Sequence, residues 1–201
     1  MMRRAGLVGV LVLGGCLFRA PEPARFFRPG SAMLDAVEPD GAGGRAAEGI
    51  PVRVQSVRSD VFLRERIVWR VSPVEYGVYE ERRWTDLPVH YVERALRTRL
   101  RATPGLRLTD DARAVAVHVD VLAFDDTFAP THAANVVLAV RAEDPSRGRL
   151  FERTVEARAE IADDDPATMA TAMGKALDDA VTEAADAVRS SVVVHRRRGG
   201  R

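Results

Sequence analysis

The stretch Val115-Ala-Val-His-Val-Asp-Val-Leu-Ala-Phe124 alternates from end to end. Val115, Val117, Val119 and Val121 fall on one side of an extended chain, and His118, Asp120, Leu122 and Phe124 fall on the other, because successive side chains of a strand point to opposite faces. A strand with one valine face and one mixed face belongs to a sheet that buries a single side. Two later segments repeat the pattern. Asn135 to Ala142 puts Val136, Leu138 and Val140 together, and Leu150 to Ile161 sets Phe151, Val155, Ala157, Ala159 and Ile161 against Glu152, Thr154, Glu156, Arg158 and Glu160. Between them, Asp144-Pro-Ser-Arg-Gly148 is a turn in which Asp and Pro set the start and Gly takes a positive φ. The three strands are expected to form an antiparallel meander.

A one-sided sheet needs a cover, and two amphipathic helices supply it. Asp86 stands where an N-cap is expected, Pro88 is in the first turn, and Val89, Val92, Leu96 and Leu100 form a stripe opposite Glu93, Arg94, Arg97 and Arg101. Pro104-Gly105 ends that helix. Asp165-Pro166 opens the second, with Met169, Met173, Leu177, Val181, Ala184 and Val188 in line. Upstream, Val52, Val54 and Val57 mark a first strand, and Ile67 to Val71 and Tyr76 to Glu80 a hairpin about Ser72-Pro73. The fold expected over residues 50–190 is α+β, a two-layer sandwich of a mainly antiparallel sheet with two helices packed on one face.

The amino-terminal region has a different logic. Arg3-Arg4, a short apolar run and Leu13-Gly-Gly-Cys16 have the order of a bacterial lipoprotein signal peptide, residues 1–15. Cys16 is the only cysteine, so it has no intramolecular disulfide partner. Its thiol is the expected attachment point for a diacylglyceryl group and an N-acyl chain. Two or more acyl chains hold a protein stably on a bilayer where one does not. Leu17, rather than Asp, follows the cysteine and points to the outer membrane. Residues 16–49, interrupted by Pro21, Pro23, Pro29 and Pro39 and by Gly41-Ala-Gly-Gly44, read as a lipidated flexible tether. Within it, Arg25-Phe-Phe27 is the one segment suited to an edge strand. Residues 191–201, with His195-Arg-Arg-Arg198 and Arg201, read as a basic disordered tail.

The formal net charge of the 201 residues is +1, with acidic and basic groups interspersed, so no face suits nucleic acid. His90, His118, His132 and His195 fall at no ligand spacing, and no metal motif, phosphate loop or nucleophile elbow occurs. His118 and Asp120 share a strand face and His132 could approach them across a hairpin, but a half-exposed polar face explains them as well. Asp163-Asp-Asp165 suits a helix N-terminus. The expectation is a non-enzyme with no metal and no cofactor beyond the lipid on Cys16.

The segment Arg64-Glu-Arg-Ile-Val-Trp-Arg-Val-Ser-Pro-Val-Glu-Tyr-Gly-Val-Tyr-Glu-Glu-Arg-Arg-Trp84, followed by Thr-Asp-Leu-Pro88, resembles the ABC-type transport auxiliary lipoproteins. That family includes the outer-membrane lipoprotein partner of the paraquat-inducible MCE (mammalian-cell-entry) system. Ile67-Val-Trp-Arg70, Tyr76 to Tyr79, Arg83-Trp84, Pro88 and Phe124-Asp125 stand in the family's places. Val61 to Glu65 departs from it by lacking the usual acidic residue and proline. The resemblance implies an accessory of an ABC-driven intermembrane lipid transport system. Such an accessory docks an MCE-domain periplasmic protein at the outer membrane and is able to form a homo-oligomer. Trp69 and Arg70 alternate on a strand, so one of them faces away from the core, and Trp84 suits either a core anchor or an interface. Trp69, Arg70 and Trp84 are therefore the candidate docking residues. The rival reading is a lipoprotein regulator that binds periplasmic envelope or cell-wall enzymes.

Overall fold

The computed structural model describes residues 22–36 and 49–199, with side chains described as far as Arg196. Cys16, the expected signal peptide and part of the expected tether lie outside the described residues. In chain order the elements are β1 (Arg25–Phe27), α1 (Ala32–Asp35), β2 (Ile50–Ser59), β3 (Arg66–Ser72), β4 (Glu75–Trp84) and α2 (Pro88–Ala102). β5 (Leu106–Leu108), β6 (Val115–Thr127), β7 (Ala133–Asp144), β8 (Gly148–Glu160) and α3 (Pro166–Gly199) follow.

β6 is the axis of the sheet. Along one edge it carries β7 and then β8, both antiparallel, which is the expected meander. Along the other edge two strands lie end to end. β2 pairs in parallel with Val115 to Val121, and β3 pairs in parallel with Asp125 to Thr127. β5 extends the β2 arm, and β4 and then β1 extend the β3 arm. β3 and β4 form the expected antiparallel hairpin. The fold is α+β. Its longest ladders are antiparallel, but the joins of β2 and β3 to β6, and of β1 to β4, are parallel, so the sheet is mixed.

The valine face of β6 carries the core. Val117, Val119 and Val121, with Val136, Leu138 and Val140 of β7, are buried against Leu96 and Leu100 of α2 and Met173, Leu177, Val181 and Val188 of α3. Gly148 has φ +77° and closes the β7–β8 turn, where Asp144 accepts from the backbone N–H groups of Ser146 and Arg147.

The alternation that predicts β6 breaks at one point. Val121 pairs with Leu138 but Ala123 pairs with Val137, so Leu122 is an extra, bulged residue. A bulge of one residue exchanges the faces of everything after it. Phe124, expected beside His118, is fully buried on the helix side, and Leu122 is pushed into solvent.

The expected flexible tether is also interrupted. β1 adds a parallel strand to the edge of β4, with Phe27 opposite Trp84, and Met33 and Leu34 of α1 pack on the core. The close approach of Gly30 to Gly174 permits this. A Cβ on Gly174 would lie 2.1 Å from the Gly30 carbonyl carbon. At the other terminus, α3 continues to Gly199 instead of fraying after residue 190, since Val192 is buried and Arg147 donates to the His195 carbonyl at 3.1 Å. In α2 the N-cap is Leu87, which makes no side-chain cap bond. Asp86, expected there, accepts instead from the Leu87 N–H and holds His90 at 2.6 Å and Arg94 at 2.7 Å.

Candidate docking site

Beyond the bulge, two adjacent aspartates of β6 point to opposite faces of the sheet, and both are buried. Asp125 lies on the face that no helix covers, where the Arg70 guanidinium pairs with it and Asn135 donates to it at 3.2 Å. β3 delivers Arg70 there because Arg70 lies beside Thr127 in the parallel register, so its side chain points to the side of Asp125. Burial pushes the Asp125 carboxyl up, against the opposing pull of Arg70 and Asn135. On the helix face, Asp126 accepts from the Tyr79 hydroxyl at 2.7 Å and bonds His132 Nε2 at 2.8 Å. Burial first, and then the bond to the Asp126 carboxylate, raise the Tyr79 hydroxyl far above its ordinary value. Phe128 stacks on the His132 ring at 4.6 Å.

Arg70 also borders a cleft of about 160 Å³ at the fork between the β2 and β3 arms. Phe62, Leu63, Val68, Tyr76 and Leu122 supply its apolar wall, and Asp60, Arg70 and Asp125 its polar floor. A guanidinium paired with a buried carboxylate and flanked by the exposed Phe62, Tyr76 and Leu122 is suited to recognition. It offers no nucleophile activated by a base.

The three expected docking residues separate. Arg70 is accessible on the open face. Trp69 takes the opposite face and lies half-buried over Gly77, where a Cβ would come within 2.5 Å of the indole. Trp84 is 1% exposed and packs edge-on against Phe124 at 5.5 Å and Tyr91 at 6.4 Å, so it is a core residue with no surface to offer. Its burial follows from α2, which lays Tyr91 over it, and from the β6 bulge, which turns Phe124 toward it. The polar residues of β6 do not converge either. His118 Nδ1 bonds Ser56 at 2.9 Å and burial lowers its basicity, whereas His132 sits with Asp126, roughly 25 Å further along the strand at ~3.3 Å per residue. Sequence reasoning missed Asp126 and Asn135. The signal was present in Phe124-Asp-Asp126, two carboxylates in a run that otherwise reads as core.

Residues 33–185 match the family model described as ABC-type transport auxiliary lipoprotein component. The chain belongs to that family, a family of lipoproteins that serve ABC-type transport. A crystal structure of a Xanthomonas campestris protein has the same fold at 18% identity, with a TM-score of 0.70 over 87% of this chain and 99% of that one. A second crystal structure, of an uncharacterised protein, agrees at 12% identity and a TM-score of 0.61 over 85% and 99%. No curated protein matches in sequence.

Proposed function

We propose that this chain is a non-catalytic, lipid-anchored accessory of an ABC/MCE-type intermembrane lipid transport system, docking the periplasmic assembly at the outer membrane. Membership of the auxiliary lipoprotein family over residues 33–185 carries the reading. Cys16, following Leu13-Gly-Gly, supplies the anchor through its diacylglycerol and N-acyl chain. The helix-free sheet face around Arg70 and Asp125 supplies the contact for an MCE-domain protein. Energy for transport comes from an ATPase elsewhere, and this chain contributes position and binding. Self-association of several copies fits the same role.

The anchor is tested by Cys16→Ala in the full chain. The expected result is release from the membrane fraction with the folded domain intact and loss of any co-sedimenting MCE partner. Retention of the variant on the membrane would remove the anchor from the account.

A further inference from the structure

Five large apolar side chains stand exposed between the β6 bulge and the β3–β4 end of the sheet, without serving the core. Val61 and Phe62 lie in the β2–β3 loop, Val74 and Tyr76 at the β3–β4 turn, and Leu122 in the β6 bulge. All are exposed, Val61 by 75% and Val74 by 89%. The Phe62 and Tyr76 rings meet edge to face at 5.0 Å, so the two loops present one surface.

The direction of β1 says what covers it. β1 runs parallel to β4, with Arg25 opposite Arg82 and Phe27 opposite Trp84. The chain therefore enters β1 from the end where β4 begins, beside the β3–β4 turn. From Arg82 back to Glu75 is ~23 Å at ~3.3 Å per residue. The nine residues from Cys16 to Arg25 reach at most ~30 Å. A lipid on Cys16 thus lies within reach of the end that carries Val74. The β7–β8 turn, where Arg147 holds the His195 carbonyl, lies at the other end of β6. α3 separates its two termini by ~50 Å at ~1.5 Å per residue.

We infer that Val61 and Val74, the most exposed of the five, seat on the surface of the bilayer that holds Cys16, while Phe62, Tyr76 and Leu122 line the cleft beside Arg70 and stay open to the partner. The domain then rests on its membrane by this end and turns the basic end of α3 away. The inference rests on the lipidation of Cys16 given above. Near the patch, Asp60, Glu65 and Glu75 offset Arg64, Arg66 and Arg70, and Asp163 to Asp165 open α3 at the same end. Attraction to anionic headgroups is therefore absent. The surface is a zwitterionic one, and the contact is apolar and insensitive to salt.

The test uses the full acylated chain carrying Val74→Cys or, separately, Ser146→Cys, labelled with an environment-sensitive fluorophore. Because lipid occupies the sulfur of Cys16, the introduced thiol is the only free one. The chain is reconstituted into phosphatidylethanolamine–phosphatidylcholine vesicles with brominated acyl chains. Strong quenching at position 74, none at 146, no change between low and high salt, and a several-fold loss on adding Val61→Glu are expected. Absence of quenching at position 74 in a chain whose N-terminal peptide carries its acyl chains overturns the membrane seat and leaves the anchor standing. An N-terminal peptide without acyl chains overturns both.

Discussion

The hydroxyl of Ser31 donates to the carboxylate of Asp178 at 2.5 Å, joining residues 147 positions apart. The same carboxylate accepts from the Ala32 N–H at 2.8 Å, and Ser31 in turn caps α1 through the Leu34 N–H at 3.1 Å. With the Met33 N–H at 3.4 Å, three bonds to one side chain of α3 thus fix the segment that carries β1 and α1. Asp178→Ala is expected to cost about 1–3 kcal/mol, the range for stranding buried donors, since Ser31 has no exposed surface. Chemical denaturation of the variant and the parent chain measures the difference, and equal midpoints would show that the bonds carry no net stability.

Gly174 controls the same junction by shape. Backbone atoms of Gly30 occupy the place of its missing Cβ, so no rotamer change relieves Gly174→Ala. The expected outcome is local: amides of residues 25–36 exchange hydrogen much faster, while those of β6 and β7 keep their protection. Unchanged exchange in residues 25–36 would mean that the segment is held some other way.

Trp84 separates packing from hydrogen bonding. Its indole N–H is buried without a partner. Trp84→Phe removes that unpaired donor and part of the ring, and is expected to cost less than about 1.5 kcal/mol. Trp84→Ala empties the site between Tyr91 and Phe124 and is expected to cost about 3–5 kcal/mol. Thermal denaturation ranks the two, and partner binding per folded molecule is unchanged in the Phe variant because Trp84 has no surface.

Arg70 and Asp125 make stability depend on pH in a stated direction. Burial raises the Asp125 carboxyl above its usual 3.8. Between that value and the raised one the folded state holds more protons than the unfolded chain, so stability falls as pH rises. Arg70→Ala removes the main opposing charge and steepens the fall. The variant should lose about 1–3 kcal/mol at neutral pH and much less once Asp125 is protonated. An equal loss at neutral and acid pH would mean that Arg70 acts by packing alone.

Asp86 shows the opposite sign. Burial tends to raise it, but bonds from Arg94, His90 and the Leu87 N–H outweigh that and lower it to about 2. Its contribution is present above the ordinary value of 3.8 and is lost as pH falls through about 2. Asp86→Asn should therefore be less stable than the parent at neutral pH and converge with it in strong acid. A difference that persists unchanged into acid would contradict the charge pairing.

The parts legible in the sequence are those with a long period. The stripe from Met169 to Val188, the α2 stripe from Val92 to Leu100 and the alternation of β6 to β8 each repeat often enough to name the buried face. What escaped is short or non-local. Nothing in Val121-Leu-Ala-Phe124 marks Leu122 as the extra residue, yet that residue decides the faces of Phe124, Asp125 and Asp126. β1 has three residues and finds its partner 57 positions away, beyond any local pattern. The parallel joins of β2 and β3 to one edge of β6 depend on tertiary packing. At the site, Arg70 was identifiable as accessible only in alternative with Trp69, and its pairing with Asp125 required the register.

Recovery of partners from native membranes decides whether this chain serves the MCE-type transporter proposed for it. A C-terminal tag, cross-linking and gentle solubilisation, followed by mass spectrometry, should recover an MCE-domain protein with its permease and ATPase, and Arg70→Glu should reduce that recovery several-fold. Recovery of cell-wall synthases or hydrolases, with no transporter component, would contradict the account.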